Sequence, residues 1–346
     1  MNQLVLLDKW STIFMFTESF ACLLGIVLNG IVIFTFGKNT NRKISAPSYF
    51  ILSMAVCDFL SCALAVPLAI ARHFQGDWPL GKTGCKVHAF MIFLLALVSI
   101  THLAIISLGK YLTITKSLSK DSYFNKRNVL LLIVGWWIYS LMFSVPPLLG
   151  WSSYGLEGIN VTCSVQWESS AFSDRAYFGV VIVSCFFLPL FVIVSCYYKI
   201  HRVSRLIVVN TSRRGGITIT ASRALMKRHR KSAMYFLAIV AAFLIPWLPY
   251  ATVAFLLAIG QKINPIATSA CSVFAKISFF LNPMLYGILH SKFRRRFIHL
   301  VPLIRRNRSV KPWSVIFEYV QSISWFSILL TPVSVNRASK HELNGN

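Results

Sequence analysis
The run Val87-His-Ala-Phe-Met-Ile-Phe-Leu-Leu-Ala-Leu-Val-Ser-Ile-Thr-His-Leu-Ala-Ile-Ile-Ser-Leu-Gly109 holds 23 residues without one Asp, Glu, Lys or Arg. A helix rises about 1.5 Å per residue, so this run covers about 35 Å, more than the roughly 30 Å hydrocarbon core of a bilayer. The run is too long for a strand and its apolar residues do not alternate. It reads as a membrane-spanning helix.

Six further runs of the same kind lie at residues 10–37, 44–71, 128–156, 176–198, 232–261 and 263–291. Four of the seven contain no charged residue, and the other three hold one each: Glu18, Asp58 and Lys276. Composition agrees. Of 346 residues, 56% are hydrophobic and only 13% charged, with a mean hydropathy of +0.64. Soluble domains carry about 25% charged residues, so this chain has roughly half the charge that a water-facing surface needs. The same figures exclude a disordered chain, and eight cysteines are too sparse for a disulfide scaffold. The expected fold class is an all-α membrane protein, a seven-transmembrane helix bundle over residues 12–290. No internal repeat is evident, which weakens a transporter built from related halves. The first run is too long for a signal peptide and lacks a convincing cleavage site.

The formal net charge is +25, and its distribution gives the orientation. The connections after spans 1, 3 and 5 and the tail carry 28 Lys and Arg, the opposite face six, and Lys276 completes the 35. Basic residues mark the cytoplasmic side. This places residues 1–11 outside the cell and the tail, 301–346, in the cytoplasm, in a multi-pass protein of the plasma membrane. The basic face suits anionic lipid headgroups and gives no reason to invoke nucleic acid. In Ser291-Lys-Phe-Arg-Arg-Arg-Phe297 the two phenylalanines are four apart, so 291–300 is expected to form a short amphipathic cytoplasmic helix. Residues 313–330 are apolar but interrupted, and are read as an interfacial segment.

An ionisable side chain inside a span is costly and usually functional. Lys276 has thirteen residues of its span on one side and fifteen on the other, and no carboxylate among its near neighbours in sequence. Burial disfavours a charged amine, and a neutral amine condenses with aldehydes. The alternatives are a lysine that snorkels to an interface or one paired structurally with Glu18 or Asp58. Glu18 lies eleven residues outward of Asn29, and Lys276 six outward of Asn282. If those asparagines share a level, Glu18 approaches Lys276. Asp58, Asn29, Asn282 and Tyr286 are mid-span polar residues that fix helix packing or form a switching network. Cys85 and Cys163 lie in the two longer outward connections, where an oxidising compartment preserves a bridge; position alone leaves them bridged or free. The other six cysteines read as small apolar fillers. Asn160-Val-Thr162 is an outward glycosylation sequon, while those at Asn210 and Asn307 face the cytoplasm. No catalytic residue and no metal site is assigned.

Taken together, Asn29, Asp58, Cys85, Trp137, Pro189 and Tyr197, Trp247-Leu-Pro249-Tyr250 and Asn282-Pro283-Met-Leu-Tyr286 resemble the rhodopsin-like (class A) G-protein-coupled receptors. The resemblance covers about residues 12–300. Within that family, Lys276 seven residues before Pro283 resembles the opsins, as do Phe243-Leu-Ile-Pro-Trp247 and Pro146-Pro-Leu-Leu-Gly-Trp151. The resemblance implies retinal, 11-cis or all-trans, bound to Lys276 as a Schiff base. It implies a pocket including Trp247, Tyr250 and Phe243, a Cys85–Cys163 bridge, and a span 6 kinked at Pro246 and Pro249. On light absorption span 6 swings outward and a heterotrimeric G protein binds, with arrestin a further partner.

Departures qualify this. Where vertebrate visual opsins carry a carboxylate counterion, this chain has His88, which resembles the non-visual neuropsin, peropsin and retinal photoisomerase-like group. Glu157, six residues before Cys163, occupies the family's other counterion site. Either Glu157 balances a protonated Schiff base, or the base stays unprotonated and absorbs in the ultraviolet. The acidic-Arg-Tyr triplet reads Gly109-Lys110-Tyr111, and the inner end of span 6 has no acid. Lys is a point charge without the planar fork of Arg, so the family's ionic latch cannot form in its usual way. Three functions stay open: a light-activated receptor; a retinal photoisomerase or retinoid-handling opsin with little signalling; and a receptor for a diffusible ligand or a transporter in which Lys276 is structural.

Overall fold
The computed structural model describes residues 2–37, 46–115, 125–213 and 218–289. The expected helix at 291–300 and the tail at 301–346, with its apolar stretch 313–330 and Asn307, lie outside the described residues.

Span 1 is α1 (Asn2–Gly37). Span 2 is α2 (Ala46–Leu60), a wide π turn (Ser61–Ala65) and α3 (Val66–Gln75). Span 3 is α4 (Gly81–Thr115) and span 4 is α5 (Lys126–Ser144). Span 5 is α6 (Phe172–Val181), a second π turn (Ile182–Phe187) and α7 (Leu188–Arg213). Span 6 is α8 (Thr218–Ala258). Span 7 is built in two pieces, α9 (Pro265–Lys276) and α10 (Ser278–Leu289), parted at Ile277. Both π turns come just before a proline, Pro67 or Pro189. Proline has no N–H to give and its ring crowds the preceding turn; a wider turn accommodates both without breaking the span.

Several boundaries differ from the sequence expectation. The first helix is longer than the span expected to start near residue 12 and takes in the segment 1–11 from Asn2 on. Span 4 was expected to reach residue 156, but α5 ends at Ser144 because Pro146 and Pro147 cannot continue it. Span 6 runs as one continuous helix through Pro246 and Pro249. Among the described residues, six helical stretches are long and apolar enough to cross a membrane. The seventh span is divided at Ile277 into two helices of 12 residues. At the break Ile277 N–H donates to Phe274 O (3.1 Å) and Phe280 N–H to Ile277 O (3.3 Å), a tightened turn.

Span 3 is the central helix, touching spans 2, 4, 5 and 6. Span 1 packs on spans 2 and 7. Leu131, Val134, Ile138 and Met142 of span 4 are exposed, as lipid-facing residues of a bundle should be. One feature is not helical. Strands β1 (Tyr154–Glu157) and β2 (Thr162–Val165) form an antiparallel hairpin with Glu157 opposite Thr162 and Leu156 opposite Cys163. The Cys85–Cys163 disulfide ties β2 to the start of span 3. The turn needs Gly158 at φ +58°, and a Cβ there would lie 2.2 Å from Ser269 Oγ and 2.7 Å from Pro265 O. The hairpin is thereby seated directly on the backbone of span 7.

Candidate functional site
Two asparagines set the relative levels of the spans. Asn29 Nδ2 donates to Phe279 O (2.8 Å) and to Gly25 O (2.9 Å), pinning span 1 to span 7. Asn282 Nδ2 donates to Asp58 Oδ2 (3.3 Å), pinning span 7 to span 2. With the helices held in this way, Glu18 meets Lys276. Lys276 Nζ stands 2.5 Å from Glu18 Oε1, and the side chains are only 3% and 5% exposed. A buried amine without a partner is expensive, and this contact compensates it.

Lys276 also forms part of the wall of a cavity of about 440 Å³, counting the space that opens to solvent. His88, Ile92 and Phe93 line it from span 3, Val165 and Trp167 from β2 and its continuation, Trp247 and Tyr250 from span 6. The lining is mostly apolar and aromatic with a few polar groups, the composition typical of small-molecule sites. Phe243 is not part of this wall. It lies behind Trp247, stacked on it at 5.7 Å between centroids and 21° between planes. Trp247 Nε1 donates to Ser278 Oγ (3.0 Å), and that hydroxyl donates to Ala275 O (2.7 Å). Span 6 is thus bonded to the interrupted stretch of span 7 beside Lys276.

His88 is fully enclosed, with Nδ1 2.8 Å from Ala65 O at the end of the first π turn. A carbonyl only accepts, so Nδ1 carries the proton. Glu157 sits behind Tyr250, outside the cavity wall. Its Oε1 accepts from Ser164 Oγ (2.9 Å) and Tyr250 OH (2.9 Å), and its Oε2 from Thr162 Oγ1 (3.2 Å). Trp167 Nε1 in turn donates to the Tyr250 oxygen (3.2 Å). Burial pushes the Glu157 carboxyl above the ordinary range, against the opposing pull of Ser164, Tyr250, Ser272 and, last, Lys276. The ion pair of Lys276 goes to Glu18, and Glu157 is held instead by hydroxyl groups.

At the other end of the bundle, Lys110 Nζ lies 4.3 Å from the centroid of the Phe236 ring of span 6. Tyr111 and Tyr197 pack together around Ile200, and Lys199 Nζ lies 5.4 Å from the Tyr111 ring centroid. Pro283 and Tyr286 belong to α10. Asn160 is exposed at the hairpin turn, with φ +65°.

Residues 28–286 match the family described as 7 transmembrane receptor (rhodopsin family). The chain belongs to that family. It is 35% identical to Melanopsin-B of Xenopus laevis over 285 residues, covering 81% of this chain and 53% of that protein. Human melanopsin is 30% identical over 325 residues, covering 88% of this chain and 68% of its own length. The crystal structure of squid rhodopsin superposes with a TM-score of 0.77 at 25% identity, covering 91% of this chain and 92% of the other. The chain therefore spans about half the length of some relatives that it matches. Within this receptor, the residues that the sequence singled out fall into a lysine-bearing cavity, a mid-span asparagine–aspartate set, and a basic triplet against span 6. Sequence reasoning missed Val165, Trp167 and Ser278. The first two carried a signal, being near Cys163 in a segment that alternates inward and outward.

Proposed function
We propose that this protein is a non-visual opsin: a light-sensing G-protein-coupled receptor that holds retinal, 11-cis or all-trans, through the nitrogen of Lys276. The observation that carries the reading is a buried lysine in the wall of an apolar, aromatic cavity. Retinal supplies the absorption of light and the change of shape. The protein supplies the rest. Phe93, Val165 and Trp167 exclude water from the amine, and the bridged hairpin holds β2 across the cavity. Glu157 contributes a second, hydroxyl-bound carboxyl behind Tyr250. Trp247 and Tyr250 are the residues of span 6 that meet the cavity, and Trp247 is the one bonded to span 7. Its displacement breaks the bond to Ser278 and lets the far half of span 6 move from Lys110, exposing a face for a heterotrimeric G protein, and in turn arrestin. The basic face lies in the cytoplasm and Asn160 carries glycan outside the cell.

A second reading, a retinal photoisomerase akin to the neuropsin, peropsin and photoisomerase-like group, is favoured by His88 and by Gly109-Lys110-Tyr111. Absorption spectra with each isomer before and after illumination, alongside light-dependent nucleotide exchange on G proteins, separate the two. Borohydride trapping is expected to place a retinyl group on Lys276. A Lys276→Ala protein that regenerates the same coloured product overturns both.

A further inference from the structure
We infer that Glu18, on span 1, is the carboxylate that balances the cationic nitrogen at Lys276. This rests on the reading of Lys276 as the retinal-bearing residue and deepens it, by assigning a counterion that neither the His88 position nor the Glu157 position supplies. Three features of the geometry carry it. Glu18 is the carboxylate in ion-pair contact with Nζ, and both partners are buried, so water screens the pair little. Glu18 is absent from the cavity lining while Lys276 is part of it, so the nitrogen has the cavity on one side and the carboxylate on another. A group entering the cavity does not have to displace its partner. Finally, the Glu157 oxygens already accept from Thr162, Ser164 and Tyr250, and burial favours the neutral form of that carboxyl.

The other titratable groups around the pair do not replace this anion. Cys22 lies one turn along α1 and donates to Cys62 O of span 2, His88 of span 3 and Tyr250 of span 6 share the cavity wall with Lys276, and Glu157 of the hairpin lies behind Tyr250. His88 has its Nδ1 proton committed to Ala65 O. Asp58 is bonded to Asn282, towards the opposite end of the bundle.

The test uses the full chain loaded with retinal in the dark. Borohydride trapping first establishes whether the adduct sits on Lys276; no adduct there means that the underlying reading has failed, independently of Glu18. With the adduct in place, wild type is expected to absorb in the visible at neutral pH. In Glu18→Gln the adduct persists but the band moves to the near ultraviolet, and the midpoint of the visible-to-ultraviolet titration falls by about two units, as for loss of an opposite charge within a few ångströms. Glu18→Asp, which keeps the charge but withdraws it by one methylene, is expected to form a pigment shifted to longer wavelength. A wild-type titration curve in Glu18→Gln, an equal or larger shift in Glu157→Gln, or a wild type absorbing only in the near ultraviolet each overturns the proposal. A second readout needs no retinal. In thermal unfolding of the ligand-free protein, Glu18→Gln and Lys276→Met are expected to be strongly non-additive, the double variant being more stable than either single change predicts. Additive effects would count against the pair.

Discussion

At the scale of single residues, the chain's few intramembrane charges are its clearest functional markers, because the bilayer penalises every one of them. Lys276 and Asp58 were legible from the sequence on that ground alone. The pairing of Lys276 with Glu18 was legible only conditionally, since it depends on how far span 1 is shifted along span 7, and Asn29 and Phe279 settle that shift through a bond no sequence pattern announces. Glu157 illustrates the limit from the other side. Its place before Cys163 pointed to a role near the amine, but the hydroxyl groups that occupy its oxygens come from β2 and span 6. A carboxyl raised by burial stabilises the fold while neutral: its contribution is complete below the ordinary carboxylate range and is lost as pH climbs through the raised value. Thermal stability of the ligand-free wild type is therefore expected to fall as pH rises above the ordinary carboxylate range. Glu157→Gln, which cannot ionise, should flatten that slope, and an unchanged slope would refute the assignment.

At the scale of elements, the seven runs of apolar residues gave the spans, while their internal irregularities were hidden. Pro67 and Pro189 were visible in the sequence, yet whether a proline bends a helix or is absorbed by a wider turn depends on the neighbouring helices. Pro246 and Pro249, where a kink was expected, both lie inside one unbroken helix. Close packing of spans 1 and 2 rests on Gly25. A Cβ there would come within 2.5 Å of Cys62 Sγ. Gly25→Ala is expected to cost about 1–3 kcal/mol through overpacking, measured as thermal inactivation in detergent. Cys62→Ala in the same chain should restore most of the loss, because it removes the sulfur that the new methyl meets.

At the scale of the whole molecule, the bundle couples a cavity at one end to a basic face at the other through span 6. The departure from the acidic-Arg-Tyr triplet was evident from Gly109-Lys110-Tyr111, whereas the contact of Lys110 with the Phe236 ring of span 6 was not. A cation over a ring is worth about 0.5–1 kcal/mol at exposed sites. Phe236→Leu, which keeps the apolar volume, is accordingly expected to raise dark nucleotide exchange roughly two- to fivefold. No change in the dark rate would show that this contact restrains nothing.

The interruption at Ile277 divides the last span into two segments with different moorings. The segment after it is riveted to its neighbours by Asn29 at Phe279 O and by Asn282 at Asp58, whereas the segment before it holds the amine. That earlier segment has anchors of its own, Glu18 at Lys276 and the hairpin at Ser269, so the joint divides the last helix between an outer set of partners that fixes where the amine sits and an inner set that fixes the register of the bundle.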